Sequence, residues 1–128
     1  MSLEIGLRGR ATLRVTPDKT AEALGSGDVP VFGTPALVAL MEKAAVNSLA
    51  GYLPSGETTV GTWLEVAHRA ATPVGADVRA EAELIAVEGR ILTFAVTAYD
   101  PLEKIGEGRI RRAVVTRDRF LRKAEEKR

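Results

Sequence analysis

The sequence predicts an α+β fold in which a curved antiparallel sheet of five strands wraps around one central helix. Three observations predict this class. One long apolar segment, at about residues 35–50, has the composition and the boundary residues of a helix. The segments after residue 56 alternate apolar and polar residues, as strands do. Tight turns separate the later segments, and such turns join only antiparallel neighbours.

Length and composition exclude several classes of protein. The chain has 128 residues, which suits a single domain over residues 1–128, and its 45% of hydrophobic residues is typical of a globular protein. It has no cysteine, which excludes disulfides, cysteine-ligated metals and thiol nucleophiles. Its one histidine, His68, excludes a site of several histidine ligands, and we expect no metal.

Charge and hydropathy narrow the possible partners and location. No apolar run reaches the roughly 18 residues that span a bilayer, and residues 1–6 do not resemble a signal peptide, so we expect a cytoplasmic protein without membrane contact. Residues 109–128 contain nine basic and three acidic residues, while the whole chain has a net charge of +1. The basic tail, residues 117–128, is predicted to be a charged helix or a frayed end. Phe120 is the only aromatic residue nearby, which argues against nucleic acid.

The first strand is predicted at residues 10–15, where apolar and polar residues alternate. Residues 19–24 predict one or two helical turns. Residues 25–28 (Gly-Ser-Gly-Asp) form a loop that is either a lid over a pocket or a plain connection.

The central helix has recognisable boundary residues. Thr34 followed by Pro35 is typical of a helix start with Thr34 as the N-cap, and Gly51 stands where a C-terminal cap is expected. Because the helix is apolar around most of its circumference, we expect it to be buried.

Four strands are predicted after the helix, at residues 57–72, 76–87, 90–99 and 104–116. Glu88-Gly89 is predicted to form a two-residue hairpin turn. Strict alternation places five residues of the first of these strands on the face that meets the helix: Val60, Thr62, Leu64, Val66 and His68.

Glu42 is the strongest candidate for chemistry. Its neighbours three and four residues away are apolar, and a carboxylate on an apolar stripe costs free energy unless it is paired or protonated. Such a cost is found mostly at functional sites, although a structural Glu42 could instead reach Lys43 or solvent. Thr34 lies roughly 12 Å from Glu42 along the helix axis, so the two cannot touch and would have to bracket a substrate.

His68 and Thr34 each have two interpretations. An inward histidine is either a satisfied core residue or a functional one, which would act as a general acid or base or as a donor that orients a carboxylate. Thr34 is either a structural N-cap or part of a helix N-terminus that binds an oxyanion or a phosphate.

Several runs of the sequence resemble the hotdog-fold acyl-CoA thioesterases, specifically the fluoroacetyl-CoA thioesterase-like family. The main runs are residues 31–42 (VFGTPALVALME), 60–62 (VGT) and 68–75 (HRAATPVG). Residues 87–90, and residues 105–108 with Arg112, are also similar. The similarity extends from about residue 15 to residue 115.

The resemblance implies hydrolysis of acyl-CoA thioesters to a free acid and CoA by a Thr34, Glu42 and His68 catalytic set. It implies that Gly61 lines the thioester site and that basic residues of the last strand, Arg112 among them, bind the CoA phosphates. CoA would enter only as part of the substrate, without a separate cofactor. The family also implies a homodimer or higher oligomer, in which two subunits form one continuous sheet and the site lies at the dimer interface.

Two features depart from the family. Ile110 stands where the family often has a second histidine, and residues 24–30 include no aromatic side chain to cover the acyl pocket. Two other functions stay open: a hotdog acyl-CoA hydratase or dehydratase, and a non-catalytic acyl-CoA-binding protein. Hydration of an enoyl-CoA would identify the former, and tight binding without thiol release the latter.

Overall fold

A computed structural model describes residues 3–128. In chain order the regular elements are β1 (Arg8–Arg14), α1 (Thr34–Ser48), β2 (Glu57–His68), β3 (Asp77–Glu88), β4 (Ile91–Tyr99), β5 (Lys104–Thr116) and α2 (Arg117–Glu125). A short 3-10 turn at Pro17–Lys19 overlaps the predicted helical turns (residues 19–24) only at Lys19, and residues 21–25 form turns, not a helix. β2 ends at His68 and not at residue 72, and the β3–β4 turn is Gly89-Arg90, one residue later than predicted.

The five strands form one antiparallel sheet in the order β1-β3-β4-β5-β2. The sheet curls into a half-barrel, and α1 lies against its inner face, where it contacts β1, β2, β3 and β4. This arrangement confirms the predicted α+β fold and its central helix. β1 and β2 are the two edges of the sheet.

The core forms between one face of α1 and the inner face of the sheet. Leu37, Leu40 and Met41 of the helix pack with Phe94 and other buried strand residues. Burial of each such side chain contributes roughly 1.5–3 kcal/mol.

The opposite face of α1 is open in the protomer. Pro35 and Ala39 are exposed on it, and Val46 is 45% exposed. The prediction that α1 is buried around most of its circumference is therefore wrong for one chain, because a single sheet covers only one side of a helix.

An irregularity in β2 changes which side chains face the helix. Gly61 pairs with Arg112 and Trp63 pairs with Arg111, so Thr62 is an extra residue in the ladder. Gly61 lies on the helix side before this bulge, and Leu64 pairs with the buried Ile110 after it. The predicted inward face is therefore wrong for Val60, since strict alternation does not continue through a bulge.

Candidate active site

Thr34 and His68 meet at the start of α1. The Thr34 hydroxyl Oγ1 lies 2.7 Å from His68 Nδ1, within hydrogen-bonding distance. Gly33, not Thr34, is the N-cap, with extended backbone angles of φ −79° and ψ 146°. The predicted capping role of Thr34 is therefore wrong, and its hydroxyl instead contacts the His68 imidazole.

The other ring nitrogen of His68 is buried and has no hydrogen-bond partner within residues 3–128. Burial lowers the pKa of His68 below its usual value of 6.5, so the imidazole is neutral at pH 7. The ring of Phe32 stands edge-on to the imidazole, with centroids 6.5 Å apart. A buried ring nitrogen without a hydrogen-bond partner is rare in proteins and costs free energy.

Glu42 is paired with an arginine from the last strand. Arg112 Nη1 donates to Glu42 Oε2 at 2.9 Å. The other guanidinium nitrogens donate to Thr59, from Nε to Oγ1 at 2.9 Å and from Nη2 to the backbone carbonyl at 3.0 Å. A carboxylate on an apolar stripe is expected to be paired or protonated, and in the structure Glu42 is paired. Thr59 holds its partner, Arg112, in place.

Gly61 allows the Glu42 carboxylate to lie against β2. A Cβ atom built on Gly61 would lie 2.6 Å from Glu42 Oε2, closer than real Cβ contacts. Any other residue at this position would displace the carboxylate or the strand. Glu42, Gly61 and Leu64 line an open groove of about 370 Å³ at the edge of the sheet.

The predicted site residues thus form two groups, which we call the histidine pair (Thr34 and His68) and the glutamate group (Glu42, Gly61 and Arg112, with Thr59). They line different cavities. The positions of Gly61 and His68 on β2 are about 23 Å apart at 3.3 Å per residue. One chain therefore does not bring Glu42 and His68 to the same substrate carbonyl.

The structure gives Arg112 an unexpected position. The residue is 7% exposed and its guanidinium is directed inward, whereas Arg109 and Arg111 of the same strand are exposed. Phosphate binding by Arg112 stays a prediction, and its contact with Glu42 was not foreseen. Thr59 was missed as well, since nothing in its local sequence distinguishes it from Thr58.

Comparisons with solved structures define the class of protein. A hot-dog-like protein from Thermanaerovibrio acidaminovorans superposes with a TM-score of 0.88 at 26% identity, over 98% of this chain and 93% of that one. The fold is therefore the hotdog fold, as the resemblance implied. Neither helix within residues 3–128 is long and apolar enough to cross a membrane.

Sequence comparison narrows the class to a family. Residues 15–118 match the family model of the fluoroacetyl-CoA-specific thioesterase. The fluoroacetyl-CoA thioesterase of Streptantibioticus cattleyicolor is 40% identical over 131 residues, which cover 98% of this chain and 94% of the relative. The chain belongs to the fluoroacetyl-CoA-specific thioesterase family, and the predicted enzyme class, a thioesterase, is confirmed.

One related structure was determined with bound ligands. It is an alanine mutant of the fluoroacetyl-CoA-specific thioesterase in complex with fluoroacetate and CoA. This chain superposes on it with a TM-score of 0.87 at 40% identity, over 92% of this chain and 99% of that one.

Proposed function

We propose that the protein hydrolyses acyl-CoA thioesters at a site that two subunits build together. The family supports thioester hydrolysis, and the CoA complex of a relative supports CoA as the leaving group. The observation that carries the two-subunit site is the separation of the histidine pair from the glutamate group. Neither group contains both a carboxylate and an imidazole.

The edge of β2 supports the dimer. This strand has 12 residues and pairs on one side only, with β5. A long open edge readily pairs with another strand. Trp63 and Leu64 are 41% and 48% exposed near its middle, and the open face of α1 lies on the same side of the protomer as the groove at Glu42.

Antiparallel pairing of two β2 edges would bring the two groups together. Gly61 and His68 both lie on the helix side of β2, and directly opposed residues of antiparallel strands share a face. Thr62 takes no pairing position, so Gly61 and His68 are each three paired positions from Glu65. A two-fold axis near Glu65 therefore lays Gly61 opposite His68 of the partner subunit. Glu42 then faces the partner's His68 across one cavity, and the dimer has two equivalent sites.

The chemistry follows from the free atoms of each group. Glu42 Oε2 is held by Arg112, and Oε1 makes no hydrogen bond within the described chain, so Oε1 is free to accept a proton from water. The water oxygen bonds to the thioester carbonyl carbon, and the carbon–sulfur bond then breaks. Glu42 passes its proton to the departing thiolate, which gives the free acid and CoA.

His68 would act as a neutral hydrogen-bond donor. If Thr34 donates its hydroxyl hydrogen to Nδ1, the imidazole carries its own hydrogen on Nε2. Nε2 is buried in the protomer, so the ring has to turn before that N–H can bind the carbonyl oxygen, together with backbone N–H groups near Gly61, as negative charge develops there. No metal and no separate cofactor takes part in these steps.

A second route starts from the same atoms. Glu42 could attack the carbonyl carbon itself and form an acyl anhydride, which water then hydrolyses. Intact-mass analysis during turnover would detect such an acyl-enzyme, whereas general-base catalysis forms none.

Mixed dimers test the two-subunit site. Glu42→Gln and His68→Ala chains should each be nearly inactive alone, as measured by thiol release from an acyl-CoA. After unfolding and refolding together, half of the dimers are mixed and each has one intact site, so about a quarter of the wild-type activity should return.

Two results would contradict the proposal. No recovered activity in the mixture, with mixed dimers verified by differently tagged chains, would place each complete site within one chain. Hydration of an enoyl-CoA without hydrolysis of acyl-CoA would instead identify a hydratase.

A further inference from the structure

Arg112 contacts only one of the two carboxylate oxygens of Glu42. Arginine and carboxylate groups frequently pair through two parallel hydrogen bonds, from two guanidinium nitrogens to both oxygens. Here Nη1 alone donates, to Oε2 at 2.9 Å, and Oε1 makes no hydrogen bond within residues 3–128. The Arg112 side chain is 9% exposed, so competition from water does not account for the single bond.

Thr59 accounts for it, because this residue occupies the rest of the guanidinium. Its hydroxyl oxygen Oγ1 accepts from Nε at 2.9 Å, and its backbone carbonyl accepts from Nη2 at 3.0 Å. The two oxygens of Thr59 thus take the places that the two oxygens of a carboxylate take on an arginine. Nη1 is the one nitrogen left for Glu42, and no two nitrogens are free for both of its oxygens.

The register of β2 places Thr59, and not Thr58, beside the guanidinium. Thr59 pairs with the buried Val114 and therefore lies on the helix side of the sheet, whereas Thr58 lies on the opposite side. Gly61 is also on the helix side, and a Cβ atom built there would lie 3.5 Å from Arg112 Nη1. The guanidinium therefore passes over Gly61, with Thr59 bonded to two of its nitrogens.

We propose that Thr59 is a positioning residue for thioester hydrolysis, because it keeps Arg112 on one oxygen of Glu42 and leaves Oε1 free for the attacking water. Without the hydroxyl, the buried Nε has no acceptor, which costs free energy. The guanidinium then turns until two of its nitrogens reach both carboxylate oxygens, and the carboxylate becomes a poorer base. This role rests on the proposed function, in which Glu42 is the base.

Removal of the hydroxyl tests the role. Thr59→Val keeps the size and the branched shape of the side chain, and we expect kcat for an acyl-CoA to fall roughly tenfold, the factor that one hydrogen bond contributes. KM should change by less than about twofold, because the loss concerns the reaction and not substrate binding. Thr59→Ser restores the hydroxyl and should recover most of kcat.

Thr58→Val is the matched control. It makes the same chemical change at the adjacent, equally half-buried residue, and the Thr58 side chain makes no hydrogen bond within the part of the chain that the structure describes. Its kcat should equal that of the wild type. Gel filtration of all variants separates loss of the dimer from a misplaced base. Should Thr59→Val fold poorly in a thermal melt, Thr59→Ala removes the same hydroxyl and should show the same fall in kcat.

Two measurements test whether Thr59 acts through Arg112. In an Arg112→Met background, Thr59→Val should lower kcat no further, because the group that it positions is absent. A crystal structure of the Thr59→Val variant should show Arg112 within hydrogen-bonding distance of both oxygens of Glu42. This second measurement does not depend on turnover.

The possible failures are distinguishable. Hydrolysis by the wild type with an unchanged kcat in Thr59→Val, or with no recovery in Thr59→Ser, overturns the role of Thr59 and leaves the proposed function standing. An equal fall in the Arg112→Met background, or a variant structure in which Arg112 still contacts one oxygen, overturns it as well. No thiol release by the wild type from any acyl-CoA refutes the proposed function and, with it, a positioning role in hydrolysis.

Discussion

The histidine pair and the glutamate group differ in what their hydrogen bonds leave unused. In the histidine pair, Thr34 occupies one ring nitrogen and the buried Nε2 has no partner within residues 3–128. In the glutamate group, all three guanidinium nitrogens of Arg112 are bonded, and one carboxylate oxygen of Glu42 stays open toward the groove. The first group is neutral and the second is a compensated ion pair. In the proposed mechanism, the first group therefore supplies a hydrogen-bond donor and the second supplies a base.

The largest effect is expected when the proposed base, the Glu42 carboxylate, is removed. Glu42→Gln keeps the size of the side chain and removes its proton-accepting charge, so thioester hydrolysis should fall by roughly 10²- to 10⁴-fold. Thiol release measures the rate, and Glu88→Gln, an exposed substitution at the end of β3, is the control. A Glu42→Gln enzyme with most of its activity would exclude Glu42 from the reaction.

The next largest effect on the rate is expected from Gly61→Ala, because Glu42 lies close against β2 at this position. Gly61→Ala places a Cβ where Glu42 Oε2 now lies, and a displacement of about 1 Å can cost roughly 100-fold in rate. In a Glu42→Gln background the same substitution should cost little further activity, because the positioned base is already lost. Equal losses in both backgrounds would show that Gly61 acts independently of Glu42.

A measurement of folding stability tests whether the ion pair between Arg112 and Glu42 stabilises the protein. Arg112→Met should lower the free energy of unfolding by about 1–3 kcal/mol, less than for a fully buried pair because Glu42 reaches solvent. Urea denaturation measures this loss, which should be smaller in the Glu42→Gln background. The same loss in both would assign the effect to the packing of Arg112 and its bonds to Thr59, not to the ion pair.

The smallest expected effect is on the pH dependence of folding stability, through the neutral His68. The unfolded chain binds a proton at His68 near pH 6.5, whereas burial lowers the pKa in the folded protein. Stability should therefore fall as pH decreases from 7 to 5.5, by less than the roughly 1.4 kcal/mol per pH unit of a full proton difference. Since His68 is the only histidine, His68→Asn should show a flatter profile. An unchanged slope would contradict the role of burial.

Local patterns were sufficient for most of the fold. The alternation over Lys104–Thr116 predicted the bounds of β5 as they are, and the apolar run predicted α1 to within two residues at its C-terminal end. A bulge leaves no such pattern, because its extra residue, Thr62, is an ordinary strand residue in sequence. The inward face of β2 was therefore predicted correctly only after the bulge.

The contacts of the site depend on long-range pairing. Glu42 and Arg112 are 70 residues apart, and only the strand order places β5 where Arg112 can reach the helix. Thr34 and His68 were singled out separately, but no local signal indicated that they bond to each other. Both contacts follow from tertiary structure, which the periodicity of single elements does not contain.

The bulge at Thr62 also changes which residues of β2 share a face of the sheet. In a regular strand, residues 61 and 68 differ by an odd number of steps and would project from opposite surfaces of the sheet. One inserted residue restores them to the same surface. A shortened chain lacking Thr62 would turn either Gly61 or His68 outward, so the proposed two-subunit site could no longer form.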